Sequence, residues 1–244
     1  MIAVADRRAF AAALDRDRNS AVCEAILAGA PLELYATDDG SVLAIEPRGV
    51  ARLSDPTSLD GARALASVAL DHITVARGPV TAAEAFVAAL PGMWTRIFTG
   101  TEMAWLAGPD LRPVAGELRC STELDRSFDD WREAFIAEVF TAGGSPPPVA
   151  GEHLYVWTSA AGPHAMAGLL PQGPSGARIV TVYTPPSERG RGYASALAAA
   201  LGERARTEGR GVTLDVAVDD PWARRAYERA GFRAVGDSAV YQRR

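Results

Sequence analysis

The chain contains no lysine; all 25 basic residues among its 244 are arginine. That excludes a P-loop lysine and a lysine Schiff base. Because alanine, arginine and glycine are abundant, the absence reads as coding bias and carries no function. Cysteine is scarce too. Cys23 and Cys120 lie far apart, which suggests free thiols in a reducing compartment, so a cytoplasmic location is expected. Together with three scattered histidines they show no zinc-ligand spacing, so no metal is expected. No G-x-S-x-G elbow for a serine hydrolase occurs. No apolar run is long enough to span a membrane, and an N-terminus with Asp6, Arg7 and Arg8 does not read as a signal peptide. A net charge of −5 argues against general nucleic-acid binding.

What remains is an ordinary globular composition, 48% apolar with mean hydropathy near zero. A chain of this length can bury roughly 70–75% of its unfolded surface, so it needs no staple. The length favours two domains. Pro109, Asp110 and Pro113 interrupt the pattern between Gly108 and Gly116, which places the boundary at about residues 1–112 and 113–244.

The first half reads as mixed α and β. Two short helices are expected over 6–28, the second capped by Asn19 or Ser20. A hairpin follows, Glu33–Ala36 and Ser41–Ile45 around Asp38-Asp39-Gly40. The spacing then predicts a helix over 59–70, a strand over 73–76, a helix over 81–90 and a β-pair around Thr99-Gly100-Thr101. The second half opens with a strand at Glu117–Ser121 and a helix over 125–140, with Asp129 as its N-cap. Gly143 to Pro148 is a stiff connector. Paired strands follow, Leu154–Trp157 and His164–Leu170. Val212, Leu214, Val216 and Val218 then alternate as a strand. Asp220 caps a helix with Pro221 at its first position, Gly231 ends it, and Phe232–Val235 and Ala239–Gln242 look like a closing strand pair.

The sharpest local signal lies between these elements. Arg178 to Tyr183 is a β-branched and aromatic strand. A Pro185-Pro186 turn and Arg189-Gly190-Arg191-Gly192 follow, and Ala194, Leu197, Ala198, Leu201 and Ala205 then recur at helical spacing. The first N–H groups of a helix have no internal partners, and its dipole adds positive charge there, so this junction is an anion site suited to phosphate. Gly190 and Gly192 let backbone approach a guest, and Arg189 and Arg191 add charge that can reach it.

Arg189-Gly190-Arg191-Gly192-Tyr193-Ala194 resembles the acetyl-CoA motif of the GNAT N-acetyltransferases, [Arg/Gln]-x-x-Gly-x-[Gly/Ala]. Asp219 to Phe232 resembles the family's N-x-x-A-x-x-x-Y-x-x-x-G-F segment, with Asp219 where Asn is usual. The likeness covers about residues 117–244. Residues 1–112 are similar to a degenerate GNAT-like half in the order of their elements and their tandem placement, and are otherwise read as a substrate-side α/β domain. The resemblance implies an α/β GNAT fold with a mixed sheet, in two tandem halves, and transfer of an acetyl group from acetyl-CoA to a primary amine. It implies that Arg189 to Ala194 hold the pyrophosphate and that Val182, Tyr183 and Thr184 pair with the pantetheine arm. Asp219 joins the cofactor-binding set by the same match. Tyr227 matches the family's general acid. Implied partners are acetyl-CoA and an amine, with neither nucleic acid nor membrane; a homodimer is left open. No general base stands out: Asp215 is one candidate, and Glu117, Glu152, His153 and His164 are others. Two rival readings exist. A Rossmann dinucleotide site is disfavoured because Ser195 stands at the third glycine position. A catalytically silent CoA-binding or interaction module is the alternative function.

Overall fold

The computed structural model describes residues 2–3, 32–47, 49–68, 72–106, 108–121, 128–139, 153–171 and 176–244. The expected helices over 6–28, the Gly143–Pro148 connector, Cys23 and Glu152 lie outside the described residues. By packing the chain forms two compact units, 1–102 with 235–244, and 103–234.

The first unit contains strands β1 (Ile2–Ala3), β2 (Glu33–Ala36), β3 (Val42–Ile45), β4 (Val50–Leu53) and β5 (Val75–Gly78), and helices α1 (Leu59–Ala66) and α2 (Val80–Ala88). It also holds most of β6 (Trp94–Trp105) and β12 (Phe232–Arg243). Its strand order is β1-β2-β3-β4-β5-β12-β6. The β2–β3 hairpin forms as expected. Asp39 accepts the Ser41 N–H at 3.0 Å and hydrogen bonds from the hydroxyls of Thr37 and Ser58, while Ser58 caps α1 by accepting the Gly61 N–H at 2.8 Å. The Ser58 hydroxyl, then that of Thr37, holds the Asp39 carboxyl well below the usual carboxylate range. The core gathers Leu43, Ile45, Leu65, Ile73 and Phe86, all buried.

Two expectations fail here for one reason. Trp94–Trp105 is a single strand, not a pair around Gly100, and Phe232–Arg243 is likewise one strand. Neither Gly100 nor Gly236 has the positive φ that would reverse the chain. A Cβ at Gly236 would stand 2.8 Å from an Asp55 carboxylate oxygen, so this glycine serves close approach. Strand β4, short and interrupted by Arg52, left no periodic signal.

The second unit contains β7 (Glu117–Ser121), α3 (Asp129–Val139), β8 (His153–Ser159), β9 (Gly162–Pro171), β10 (Gly176–Tyr183), α4 (Tyr193–Thr207), β11 (Gly211–Ala217) and α5 (Pro221–Arg229). From the end of β6 its strand order is β6-β11-β10-β9-β8-β7. Strands β7 to β10 are antiparallel neighbours, and β10 runs parallel to β11. Asp129 is the first helical residue of α3 rather than a residue ahead of it. The alanine-rich face of α4 approaches the sheet closely, and Leu197, Leu201, Leu214, Phe232 and Met103 form a fully buried core. A Cβ at Gly202 would stand 2.7 Å from the Trp105 indole, so α4 carries glycine where that ring lies against it.

Candidate active site

Strands β10 and β11 pair over three residues only, Gly176, Ala177 and Arg178 against Gly211, Val212 and Thr213. Both strands continue beyond that point, β10 to Tyr183 and β11 to Ala217, so they diverge towards their carboxyl ends. On the other side β10 keeps β9, with a register shift between Val180 and Tyr183. Thr181 sits at that bulge with φ of +53°. A β-branched residue in the left-handed region is strained, at a cost of about 1–3 kcal/mol. The strain marks where β10 bends, and among the described residues no strand pairs with Ile179 to Tyr183 on the β11 side.

The strand leads into a short 3-10 turn, Pro186–Glu188, and then into the glycine loop. Gly192 is the N-cap of α4 with φ of +89°, and no side chain caps the helix. Its first N–H groups are therefore open to an anion. A Cβ on Gly192 would stand 3.2 Å from Val114, whereas one on Gly190 would meet nothing within 4 Å. Gly190 serves its backbone angle, φ +77°, and Gly192 serves both angle and space.

The two loop arginines are not equivalent in the partners they hold. Arg189 donates from Nε to the Thr184 carbonyl at 2.9 Å and from Nη2 to both oxygens of Glu138 on α3 at 2.8 Å. Its guanidinium also lies 5.8 Å from the Tyr183 ring centroid. Arg189 thus ties the loop to the end of β10 and to α3. Arg191 is the more exposed of the two and donates to Glu188 at 3.2 Å. Because the Thr184 carbonyl is engaged, its hydroxyl is the group of that residue left to a ligand. The Thr184 hydroxyl is buried with no partner among the described residues. A buried orphan polar atom is costly, and a ligand group there would relieve it.

Of the other expected cofactor-binding residues, Val182 faces the core beneath α4, and Tyr183 packs on the opposite face near Trp131 of α3. Tyr193 and Ala194 open α4. Asp219 is exposed in the turn after β11; counted back from Ala223, Tyr227 and Phe232, the Asn position of the motif falls one residue later, on Asp220, which caps α5 by accepting the Ala223 N–H at 2.8 Å.

Tyr227 projects from α5 into the core beside Phe232, ring centroids 6.2 Å apart, and is 7% exposed. Its hydroxyl has no hydrogen-bond partner among the described residues. Burial, with a smaller contribution from the Asp220 carboxylate, pushes its pKa well above that of a free phenol. The group therefore holds its proton throughout the neutral range.

The candidate bases fare differently. Asp215 is bound by Arg178 across the β10–β11 pair. Glu117 binds Arg119 on β7 at 2.6 Å, and His153 is exposed at the start of β8. His164 is buried, with both ring nitrogens engaged by Ser159 and Glu188. Glu138, Ser159 and Glu188 are site residues that sequence reasoning missed. Only Glu188 left a signal, by standing inside the motif-bearing loop.

Comparison with known proteins bears on the same residues. A family model described as the acetyltransferase (GNAT) family matches residues 119–232. Residues 119–232 are thus similar in sequence to a GNAT domain. No curated protein matches the chain. Solved structures show the fold at low identity. An N-acetyltransferase of this family from Kribbella flavida superimposes with a TM-score of 0.54 at 16% identity, over 90% of this chain and 95% of that one. A GNAT acetyltransferase from Colwellia psychrerythraea gives 0.51 at 12%, over 99% and 98%. A tandem GNAT protein from the clavulanic acid biosynthesis pathway gives 0.51 at 16%, over 97% and 91%. The fold is the mixed α/β GNAT fold, and the tandem relative matches its two-half organisation.

Proposed function

We propose that the protein transfers an acetyl group from acetyl-CoA to a primary amine of a small molecule or peptide. The observation that carries this is the divergence of β10 and β11 ahead of an uncapped helix N-terminus. An open strand edge can pair with the amide-bearing pantetheine arm as an added strand would. The arm's far end then meets the N–H groups at Gly192, where a pyrophosphate is stabilised by dipole and backbone donors. Arg191 contributes charge, and the Thr184 hydroxyl contributes an unspent hydrogen bond.

In the reaction, a neutral amine attacks the thioester carbonyl. Backbone N–H groups along the free edge of β10 stabilise the oxyanion that develops. As the tetrahedral intermediate collapses, the C–S bond breaks and the Tyr227 hydroxyl gives its proton to the leaving thiolate. The nitrogen loses a proton to solvent or to a base, and the amide is complete. Tyr227 is suited to the donor role because its hydroxyl is uncommitted and its proton is retained at neutral pH.

The test is thiol release from acetyl-CoA across amines, amino acids, aminoglycosides and peptides, alongside calorimetric binding of CoA. Release with at least one amine supports transfer. Binding without release across the panel supports a silent CoA-binding module, and failure to bind CoA defeats both.

A further inference from the structure

We propose that His164 is a positioning residue for the phosphate-binding loop, acting through Glu188 and Tyr193. This rests on residues 189–194 being the pyrophosphate site. The His164 ring is held at both nitrogens: Nδ1 lies 3.0 Å from a Glu188 carboxylate oxygen, and Nε2 lies 2.7 Å from the Ser159 hydroxyl. A carboxylate only accepts, so Nδ1 carries the proton, and in the neutral ring Nε2 accepts from Ser159. The Ser159 oxygen in turn accepts the Ala161 N–H at 3.1 Å, which anchors it to the β8–β9 turn. The same ring stacks on Tyr193, centroids 4.2 Å apart and planes 6° from parallel.

The consequence follows from chain order. Glu188 is the last residue before Arg189-Gly190-Arg191-Gly192, and Tyr193 is the first after it. One buried imidazole, 6% exposed on β9, therefore grips both ends of the loop. Between those ends stand two glycines at φ +77° and +89°, the residues that restrain a backbone least. The bracket supplies the restraint they cannot. It also aims a charge: the Glu188 oxygen that meets His164 is the one that receives Arg191 at 3.2 Å. With Arg189 committed to Glu138, Arg191 is the loop arginine whose direction this network sets.

His164 is thus a holder of shape, and both of its ring nitrogens are already engaged. Without it the loop spends less of its time in the binding form, and the apparent affinity falls by that fraction. His164→Ala should weaken CoA binding by about tenfold or more, since it removes a hydrogen bond to a charged group together with the stack. Pantetheine, which has no pyrophosphate, should bind wild type and variant alike. In turnover, KM for acetyl-CoA should rise while kcat at saturation stays near wild type. His164→Gln, which keeps a donor and an acceptor, should recover part of the affinity, and Glu188→Gln should imitate His164→Ala in part.

Calorimetry with CoA and pantetheine on wild type, His164→Ala, His164→Gln and Glu188→Gln reads this directly. If wild type binds CoA and the histidine variants bind it equally well, the positioning role is overturned while the pyrophosphate assignment stands. Equal weakening of CoA and pantetheine, or a fall in kcat at unchanged KM, also overturns it. If wild type itself does not bind CoA, the loop assignment falls first and takes the proposal with it. Should His164→Ala fail to fold, the two glutamine variants decide.

Discussion

Gly192 and Tyr227 are bound to fail in different ways. Gly192→Glu puts a side chain at φ +89° against Val114 and a negative charge where phosphate would sit. Acetyl-CoA binding should fall from a micromolar towards a millimolar Kd, about 4 kcal/mol, by calorimetry. Tyr227→Phe leaves the backbone and the buried ring in place, so binding should persist. Its loss should appear in kcat, by about 10²–10⁴-fold if the hydroxyl is the sole donor; an unchanged kcat in a chemistry-limited assay would make Tyr227 a packing residue. The raised pKa of Tyr227 has a second consequence. Its neutral form is favoured in the folded state, so that stabilisation is intact below the unfolded phenol value of about 10 and is lost as pH rises through the folded value. Tyr155, also pushed up mainly by burial, acts in the same sense. Alkaline melts should therefore show stability falling above about pH 10. The fall should be shallower in Tyr227→Phe, and identical slopes would deny the phenol that role.

Among the elements, α4 is the one whose composition most directly sets its packing. Gly202 faces the Trp105 indole, which donates to the Ala230 carbonyl at 2.9 Å. Gly202→Ala gains helix propensity, worth about 1 kcal/mol. It also drives a methyl into that ring, and overpacking costs about 1–3 kcal/mol. The net expectation is destabilisation by denaturant titration, and a more stable variant would show that the indole moves freely. Elements also divide by how far the sequence reveals them. The loop of residues 189–192, the α5 cap at Asp220 and the β2–β3 hairpin turn are local chemistry, so six to ten residues suffice to read them. The long strands β6 and β12 were misread because glycine looks the same in sequence whether it turns a chain or makes room for a neighbour. The divergence of β10 from β11 is a matter of register between strands, which neither strand's own residues encode. Likewise the partnership of Arg189 with Glu138 spans 51 positions and has no local trace.

For the whole molecule, the decisive feature is how the chain is apportioned. Residues 235–244 pack with residues 1–102, so the first unit is built from both ends of the sequence and the second is a continuous insertion. Ala239 to Gln242 pair with β5, and Ala239 and Tyr241 are buried in the first unit's core. Deleting 235–244 should therefore lower the melting temperature of the first unit while CoA binding, which we propose uses residues of the second, is largely kept. Calorimetric melting followed by CoA titration of the truncated chain checks both, and lost CoA binding with unchanged melting would contradict the division. A fragment starting at residue 113 would lack Met103 and Trp105, which pack in the core of the second unit.

That apportionment also sets a schedule for synthesis. The residues from 103 to 234 emerge from a ribosome as one uninterrupted stretch, and they can close their own core while the chain is still growing. The first unit cannot. Its strand β5 waits, with one edge unpaired, until residues 239–242 appear, more than 150 positions after β5 itself was made. An exposed strand edge is where a nascent chain pairs wrongly with its neighbours. A chain cut short before Ala239 would thus carry a packed second unit and an unsealed first unit.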